Sequence, residues 1–222
     1  DPSYPVSEES VLAFMEDRYV SRGGIKLEHA LETFSVDVRD LVMIDAGSST
    51  GGFTDCLLSR GAGFVHAIDV GYNQLDYSLR RHESVGVLER TNVMSLEPGS
   101  LVPPPDAAVC DLSFRSVEGA ASRLVSLVKY GWLIALVKPQ FELREPGIDF
   151  DGIVRDRDTL LAILFDIESR LRDESVFVSA LTESPIRGNR GNREVFFLLK
   201  AVEEVPRSNV LSAIGNLYRD DW

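Results

Sequence analysis

The sequence predicts an α/β domain with a mostly parallel seven-stranded sheet, helices on both faces and a late antiparallel hairpin. Two observations favour this class. Short apolar runs alternate with amphipathic stretches from Leu41 onward, and each run ends at a Gly, Asp, Asn or Pro residue. Buried parallel strands show this pattern because helices cover both of their faces. Strand–helix alternation that closes with two strands predicts a single α/β domain.

Seven short segments are predicted as strands because each is rich in Val, Ile, Leu, Phe or Ala. They are Leu41–Ala46, Phe64–Val70, Val85–Leu88, Ala107–Cys110, Leu133–Val137, Val176–Leu181 and Glu194–Leu199. The last two are separated by the turn-rich sequence ESPIRGNRGNR, which predicts that they form the hairpin.

Five segments are predicted as helices because their apolar residues fall on roughly one helical face. They are Gly24–Thr33, Thr50–Arg60, Val117–Lys129, Asp158–Arg172 and Ser208–Tyr218. Gly61 directly follows the second helix, at the position where glycine commonly ends one. Residues 1–17 are acidic and show little periodicity, so we expect a leader or linker there and one domain over residues 18–222.

Composition limits the classes of partner. The 222 residues carry a net charge of −12, whereas proteins that hold nucleic acid by charge alone are usually basic. Composition alone therefore argues against a free-standing nucleic-acid binder. The longest apolar runs, such as residues 132–137, are far shorter than the roughly 20 residues that span a membrane. We therefore expect no membrane insertion.

Cysteine and histidine give no sign of a metal site. Cys56 and Cys110 are too few for a disulfide framework or a zinc site of the usual spacing. His29, His66 and His82 are scattered without ligand spacing, so no metal is expected. Two small apolar cysteines suit a reducing compartment, and we expect a cytoplasmic protein.

A glycine-rich loop, DAGSSTGGF, follows the first predicted strand and runs into a predicted helix. Backbone N–H groups in such a loop can approach a ligand closely. The spacing of Gly47, Gly51 and Gly52 does not match the nicotinamide fingerprint, and the loop lacks the lysine of a Walker motif. A tight turn would explain one glycine, but hardly three beside the acidic Asp45.

Two further features follow the next strands. Asp69 ends the second predicted strand, where an acid can accept hydrogen bonds from two ribose hydroxyls. Asn92 and Val93 follow the third strand, where an adenine would lie in such a crevice. Together with the glycine-rich loop, these residues resemble the S-adenosylmethionine pocket of Rossmann-like methyltransferases. S-adenosylmethionine is therefore the expected cofactor, ahead of a nicotinamide.

Charged residues follow the fourth and fifth predicted strands. Asp111 and Lys138 stand where strand ends overhang the crevice that binds ligands in open α/β sheets. A lysine at a strand end is ordinarily a solvated tip. Here Pro139 prevents simple continuation of the strand, and the apolar run before Lys138 places its amine near the crevice.

Seven motifs, in order over roughly residues 18–200, resemble the TlyA-type family. Its members are often labelled haemolysins and belong to the FtsJ-like 2′-O-methyltransferases of ribosomal RNA. The motifs are Tyr19–Leu27, Asp45–Leu58, Asp69–Leu75, Leu88–Val93, Asp111–Phe114, Leu136–Glu142 and Ser184–Glu194.

The resemblance implies ribose 2′-O-methylation and a Lys-Asp-Lys-Glu catalytic tetrad at Lys26, Asp111, Lys138 and Glu194. Lys138 would contact the acceptor hydroxyl, either as base or as the group that orients its lone pair. Asp111 would hold Lys138, and Glu194 would hold Lys26. The predicted cofactor-binding residues are Asp45, Ala46, Gly47, Ser48, Ser49, Thr50, Gly51, Gly52, Phe53, Asp69, Val70, Asn92, Val93 and Asp111.

The expected partner is ribosomal RNA or a ribosomal subunit. Family members usually begin with a small RNA-binding domain that the sequence lacks, so we expect RNA affinity to depend on that domain. A rim of RNA contacts and a solvated surface are about equally consistent with the three arginines before Glu194, and their position favours the rim. The predicted substrate-binding residues are Ser21, Arg22, Phe114, Arg187, Arg190 and Arg193.

Other functions stay open at this point. Asp111–Phe114 stands where base-amine methyltransferases carry Asp/Asn-Pro-Pro-aromatic, but both prolines are missing and the two lysines would have no role. The haemolysin label suggests a membrane-acting protein, which no apolar span supports. A non-catalytic module that keeps the cofactor pocket is disfavoured by the complete tetrad.

Overall fold

Seven strands form one sheet in the computed structural model, which describes residues 18–113, 116–144 and 150–219. The strands are β1 Val42–Ala46, β2 Phe64–Ile68, β3 Val85–Leu88, β4 Ala107–Cys110, β5 Trp132–Val137, β6 Phe177–Glu183 and β7 Val195–Lys200. Their order across the sheet is β3-β2-β1-β4-β5-β7-β6. Strands β1 to β5 run parallel, while β7 lies antiparallel between β5 and β6. The predicted mostly parallel sheet with a late antiparallel pair is confirmed.

Seven α-helices connect and cover the strands in the described part of the chain. They are α1 Gly23–Thr33, α2 Gly52–Ser59, α3 Tyr77–Arg80, α4 Ala120–Leu127, α5 Pro139–Glu142, α6 Arg157–Asp173 and α7 Arg207–Asn216. All five predicted helices are present, with shifted ends. The second begins at Gly52 instead of Thr50 because Gly51 takes a left-handed conformation, with φ 100°. The short α3 and α5 were not predicted, because four residues are too few to show a helical period.

The core forms two layers, one on each face of the sheet. Successive residues of a strand point to opposite faces, so Met43 packs with Leu57 on one face and Ile44 with Leu124 on the other. Helices α1 and α2 cover the first face, while α4, α6 and α7 cover the second. This arrangement confirms helices on both faces.

The reversed direction of β7 decides which residues share the functional edge of the sheet. The parallel strands β1, β2, β4 and β5 all end at one edge, and β7 begins there because it runs the other way. Val137 and Val195 pair directly across β5 and β7. Lys138 and Glu194, the next residues outward, therefore lie side by side.

The expectations about a leader, a membrane-spanning helix and a metal site can be compared with the structure only where it describes the chain. The leader predicted over residues 1–17 lies outside them, so the division at residue 18 stays a prediction. Within them, no helix is long and apolar enough to cross a membrane. Both cysteines are buried and free of disulfides. In residues 18–113, 116–144 and 150–219, no group of three or more His, Cys, Asp or Glu residues is placed to hold a metal.

Asp45, on β1, generates a prediction about stability. Its side chain is fully buried, and Thr54 Oγ1 donates a hydrogen bond of 2.6 Å to its Oδ2. Burial raises the pKa of Asp45 from 3.8 to about 7. The hydrogen bond from Thr54 lowers the pKa in part, while the nearby charges of Asp111 and Asp69 raise it further. The folded state thus holds this proton more tightly than the unfolded chain. The resulting stabilisation is complete below about pH 4 and is lost as the pH rises through about 7.

We expect Asp45→Asn to gain stability relative to the unchanged chain as the pH rises, because the amide does not ionise. The difference in free energy of unfolding should grow by about 2 kcal/mol between about pH 5 and about pH 8, measured by urea denaturation. Asp173→Asn, the same change at an exposed position, should show no such growth. Equal pH dependence of both variants would contradict the prediction.

Candidate active site

Two ion pairs lie at the carboxyl edge of the sheet. Lys138 follows β5, and its Nζ lies 2.5 Å from Oδ1 of Asp111, which follows β4. Lys26 lies on α1, and its Nζ lies 2.5 Å from Oε2 of Glu194, which precedes β7. The structure thus brings together the four residues of the predicted tetrad and joins them in the expected pairs. Their catalytic roles stay predictions.

Burial explains why these charges are paired. The exposed fraction is 3% for the Glu194 side chain and 12% for each lysine side chain. Removing a charge from water costs several kcal/mol unless a close partner of opposite sign compensates it. Each lysine therefore needs its carboxylate for the fold to tolerate it, and each pair fixes the position of the amine.

Ser113 is a residue of this site that the sequence analysis did not single out. The Nζ of Lys138 donates a hydrogen bond of 3.1 Å to the Ser113 hydroxyl. The ion pair with Asp111 and the hydrogen bond to Ser113 together hold the amine in place. A lysine ammonium has three N–H donors, so it keeps donor capacity for a ligand. The position of Ser113, two residues after Asp111 at the same strand end, could have indicated that it belongs to this site.

A cavity of about 460 Å³ opens beside the carboxyl ends of β1, β2 and β4. We name it the Asp69 cavity. Seven predicted cofactor residues line it: Gly47, Ser49, Asp69, Val70, Asn92, Val93 and Asp111. Other residues that were not predicted to bind the cofactor also line it, among them Gln74, Met94, Leu112, Ser113 and Glu118.

The Asp69 carboxylate is oriented by backbone groups. Gly71 N–H donates to Oδ1 at 2.6 Å, and Ser49 N–H donates to Oδ2 at 2.8 Å. A carboxylate offers about four acceptor positions, so each oxygen keeps one for a ligand in the cavity. Such a carboxylate can accept hydrogen bonds from a pair of ribose hydroxyls.

A second, smaller cavity of about 230 Å³ adjoins the first. We name it the Lys26 cavity, since Lys26 contributes to its wall. Gly47, Ser49 and Asp111 line both cavities, so the two spaces share a boundary. At Gly47 this boundary is tight, because a Cβ there would collide with the backbone carbonyl of Asp111.

The glycine-rich loop lines both cavities, and its assignment to the cofactor stays a prediction. Ser48, Thr50, Gly52 and Phe53 line the Lys26 cavity and not the Asp69 cavity. The chain reverses at Gly51 and enters α2, which directs these residues toward α1. Further members of the predicted set that do not line the Asp69 cavity are Asp45 and Ala46, buried within β1, and Gly51, which packs against Leu75 and Leu79.

The predicted substrate-binding residues separate into different places. Ser21 and Arg22 line the Lys26 cavity, whereas Phe114 lies outside the described residues. Arg193 is buried, with its guanidinium 4.4 Å from the centre of the Tyr218 ring.

The three arginines before Glu194 therefore do not form one exposed rim. The guanidinium of Arg190 donates to the backbone carbonyl of Asp151 at 2.5 Å, while Arg187 is exposed. Residues close in sequence point in different directions here because Arg190, in a left-handed conformation with φ 56°, reverses the chain.

Comparison with known proteins decides the family. A family model described as FtsJ-like methyltransferase matches residues 19–201. The chain belongs to the FtsJ-like methyltransferase family. It is 38% identical over 203 residues to the 16S/23S rRNA (cytidine-2′-O)-methyltransferase TlyA of Mycobacterium tuberculosis (strain ATCC 25618 / H37Rv), covering 90% of this chain and 76% of that protein. It is also 38% identical to Hemolysin A of Brachyspira hyodysenteriae, covering 80% of this chain and 75% of the relative.

Solved structures agree with this assignment. A Streptococcus thermophilus protein described as a hemolysin superposes with a TM-score of 0.82 at 39% identity, covering 89% of this chain and 74% of that one. The magnesium protoporphyrin IX methyltransferase of Synechocystis PCC 6803 with bound SAH superposes with a TM-score of 0.55 at 14% identity, covering 89% of each chain. The second likeness concerns the fold alone. The predicted family and the Rossmann-like methyltransferase fold are confirmed for this FtsJ-like chain.

Gly188 gives a way to displace Glu194 without changing it. A Cβ at position 188 would collide with the Glu194 carboxylate, which must then move away from Lys26. We expect Gly188→Ala to slow methyl transfer about 10- to 100-fold, while the affinity for the methyl donor stays unchanged. The matched variant Gly215→Ala adds a Cβ that meets no atom within 4 Å, and it should keep the full rate. Equal rates for the two variants would show that the position of Glu194 is unimportant.

Ser113→Ala should lower kcat about 3- to 10-fold, because Lys138 loses one of the two partners that orient its amine. Ser113→Thr keeps the hydroxyl and should restore most of kcat. The measurement is of kcat and of the KM for the methyl donor, both from initial rates at varied donor concentration. A change confined to the KM of the donor would assign Ser113 to the cavity wall instead.

Proposed function

We propose that this FtsJ-like chain uses S-adenosylmethionine to methylate a ribose 2′-hydroxyl of ribosomal RNA. The observation that carries the proposal is that Asp111, which pairs with Lys138, lines both of the adjoining cavities. One cavity suits a nucleoside cofactor, and the other suits a small acceptor group beside an amine. The name of the Mycobacterium tuberculosis relative, an rRNA (cytidine-2′-O)-methyltransferase, supports the same acceptor.

The Asp69 cavity fits S-adenosylmethionine by the chemistry of its donors and acceptors. The Asp69 carboxylate would accept hydrogen bonds from the ribose hydroxyls, for which it keeps an acceptor position on each oxygen. Asn92 and Val93 would lie beside the adenine, and Gly47 allows the loop to approach the Asp111 backbone closely at the boundary of the cavity. When bound, S-adenosylmethionine supplies an electrophilic methyl group.

The chain's own residues would bind and orient the acceptor hydroxyl. The ion pair with Asp111 and the hydrogen bond to Ser113 hold the Lys138 amine in place, and the acceptor oxygen would bind to a further N–H of that amine. Holding that oxygen in one place replaces a chance encounter by an oriented approach, which accounts for a large part of enzymatic rate enhancement. The Lys26–Glu194 pair would form the far side of the acceptor space and hold the ribose against it.

The direct test is Lys138→Ala in an assay of tritium transfer from labelled S-adenosylmethionine to bacterial ribosomal subunits. We expect methyl transfer to fall at least about 100-fold, while the affinity for S-adenosylmethionine, measured by calorimetry, changes little. Lys129→Ala, at the opposite edge of the sheet and mostly exposed, should behave like the unchanged chain. Loss of cofactor affinity in Lys138→Ala would refute the assigned role.

Nucleoside analysis of the labelled RNA tests the acceptor atom. A 2′-O-methyl group protects the adjoining linkage from alkali, so the label should remain in alkali-resistant dinucleotides. Label recovered as a methylated base would establish amine methylation instead and would contradict the proposal.

A further inference from the structure

A third space lies at the same edge of the sheet, on the other side of Glu194. This cleft of about 760 Å³ is formed by the end of β6, the segment before β7 and the end of α7. We name it the Arg187 cleft. Its polar lining includes His29, Thr182, Ser184 and Asn216.

The Arg187 cleft continues the row formed by the other two cavities. The Asp69 and Lys26 cavities meet at Asp111 and Gly47. Lys26, in the wall of the second cavity, pairs with Glu194, in the wall of the cleft. A substrate bound in the Lys26 cavity and longer than one nucleotide can therefore extend past this ion pair into the cleft.

The charge of the cleft favours an anion, although the whole chain carries −12. Lys26 balances the charge of Glu194. Glu183 accepts a hydrogen bond of 2.5 Å from the backbone N–H of Tyr218 and keeps its charge, which Arg193 in the same wall offsets. Arg193 stacks on the Tyr218 ring. Arg187 has no ion-pair partner among the described residues, and its guanidinium is the exposed cation of the cleft.

We propose that the Arg187 cleft binds a backbone phosphate of the RNA, in a nucleotide next to the one that is methylated. Arg187 makes the charged contact, and the Asn216 amide of the lining can donate a neutral hydrogen bond of the kind that phosphate and sugar oxygens accept. The proposal rests on the proposed function, because it assumes that the acceptor belongs to an RNA chain. Arg187 is then a positioning contact that sets the register of the RNA and takes no part in the chemistry.

The experiment is a fluorescence anisotropy titration of the 222-residue chain with a short labelled single-stranded RNA, at several salt concentrations and without a methyl donor. We expect Arg187→Ala to weaken binding about 5- to 10-fold. The slope of log Kd against log salt should fall by about 0.7, the value for one phosphate contact in a single strand. Arg187→Lys keeps the charge and should keep the slope.

Arg39→Ala is the matched control, since it removes the same charge from an exposed arginine at the opposite edge of the sheet. It should leave both the affinity and the slope unchanged. Equal effects of the two alanine variants, no effect of Arg187→Ala, or no RNA binding by the unchanged chain would each overturn the proposal. Failure of the proposed function has a different signature: RNA binding that depends on Arg187, with no 2′-O-methyl nucleoside formed.

Discussion

The antiparallel pairing of β7 with β5 is the constraint on which the rest of the site depends. It brings the start of β7 to the edge where the parallel strands end, so that Glu194 lies beside Lys138. A parallel β7 would carry Glu194 to the opposite edge and leave Lys26 without its carboxylate. Since an unpaired buried charge costs several kcal/mol, the strand direction, the two ion pairs and the position of α1 depend on one another.

Glycine allows the loops around this edge to approach closely enough. At Gly52 a Cβ would lie 2.9 Å from Gly24 N and would collide with the Ser21 hydroxyl, so only glycine lets α2 begin against the segment that carries Lys26. At Gly188 the neighbour is the Glu194 carboxylate itself. In both places the missing side chain makes room for a residue of the site.

A buried polar cluster joins the Lys138 segment to the wall of the Asp69 cavity. Glu142, four residues after Lys138, accepts from Val117 N–H at 2.9 Å and from the Ser116 hydroxyl at 2.5 Å. Arg170 of α6 pairs with Glu118 at 2.6 Å and donates to the Glu142 carbonyl at 3.1 Å. Glu118 lines the Asp69 cavity. Lys138 and the proposed cofactor site therefore share one rigid support, which suits a reaction that needs both held in a single geometry.

The sequence by itself determined the element types, the family and the residues at the strand ends. Apolar periodicity and glycine turns act locally, and Asp45, Asp69, Asp111 and Lys138 each stand directly at or after an apolar run. What only the tertiary structure decided concerns side-chain direction. It divided the glycine-rich loop between two cavities, buried Arg193 while leaving Arg187 exposed, and placed Ser113 on Lys138. These outcomes depend on distances between residues far apart in the chain and on how each backbone turn aims its side chains, and no local pattern encodes either.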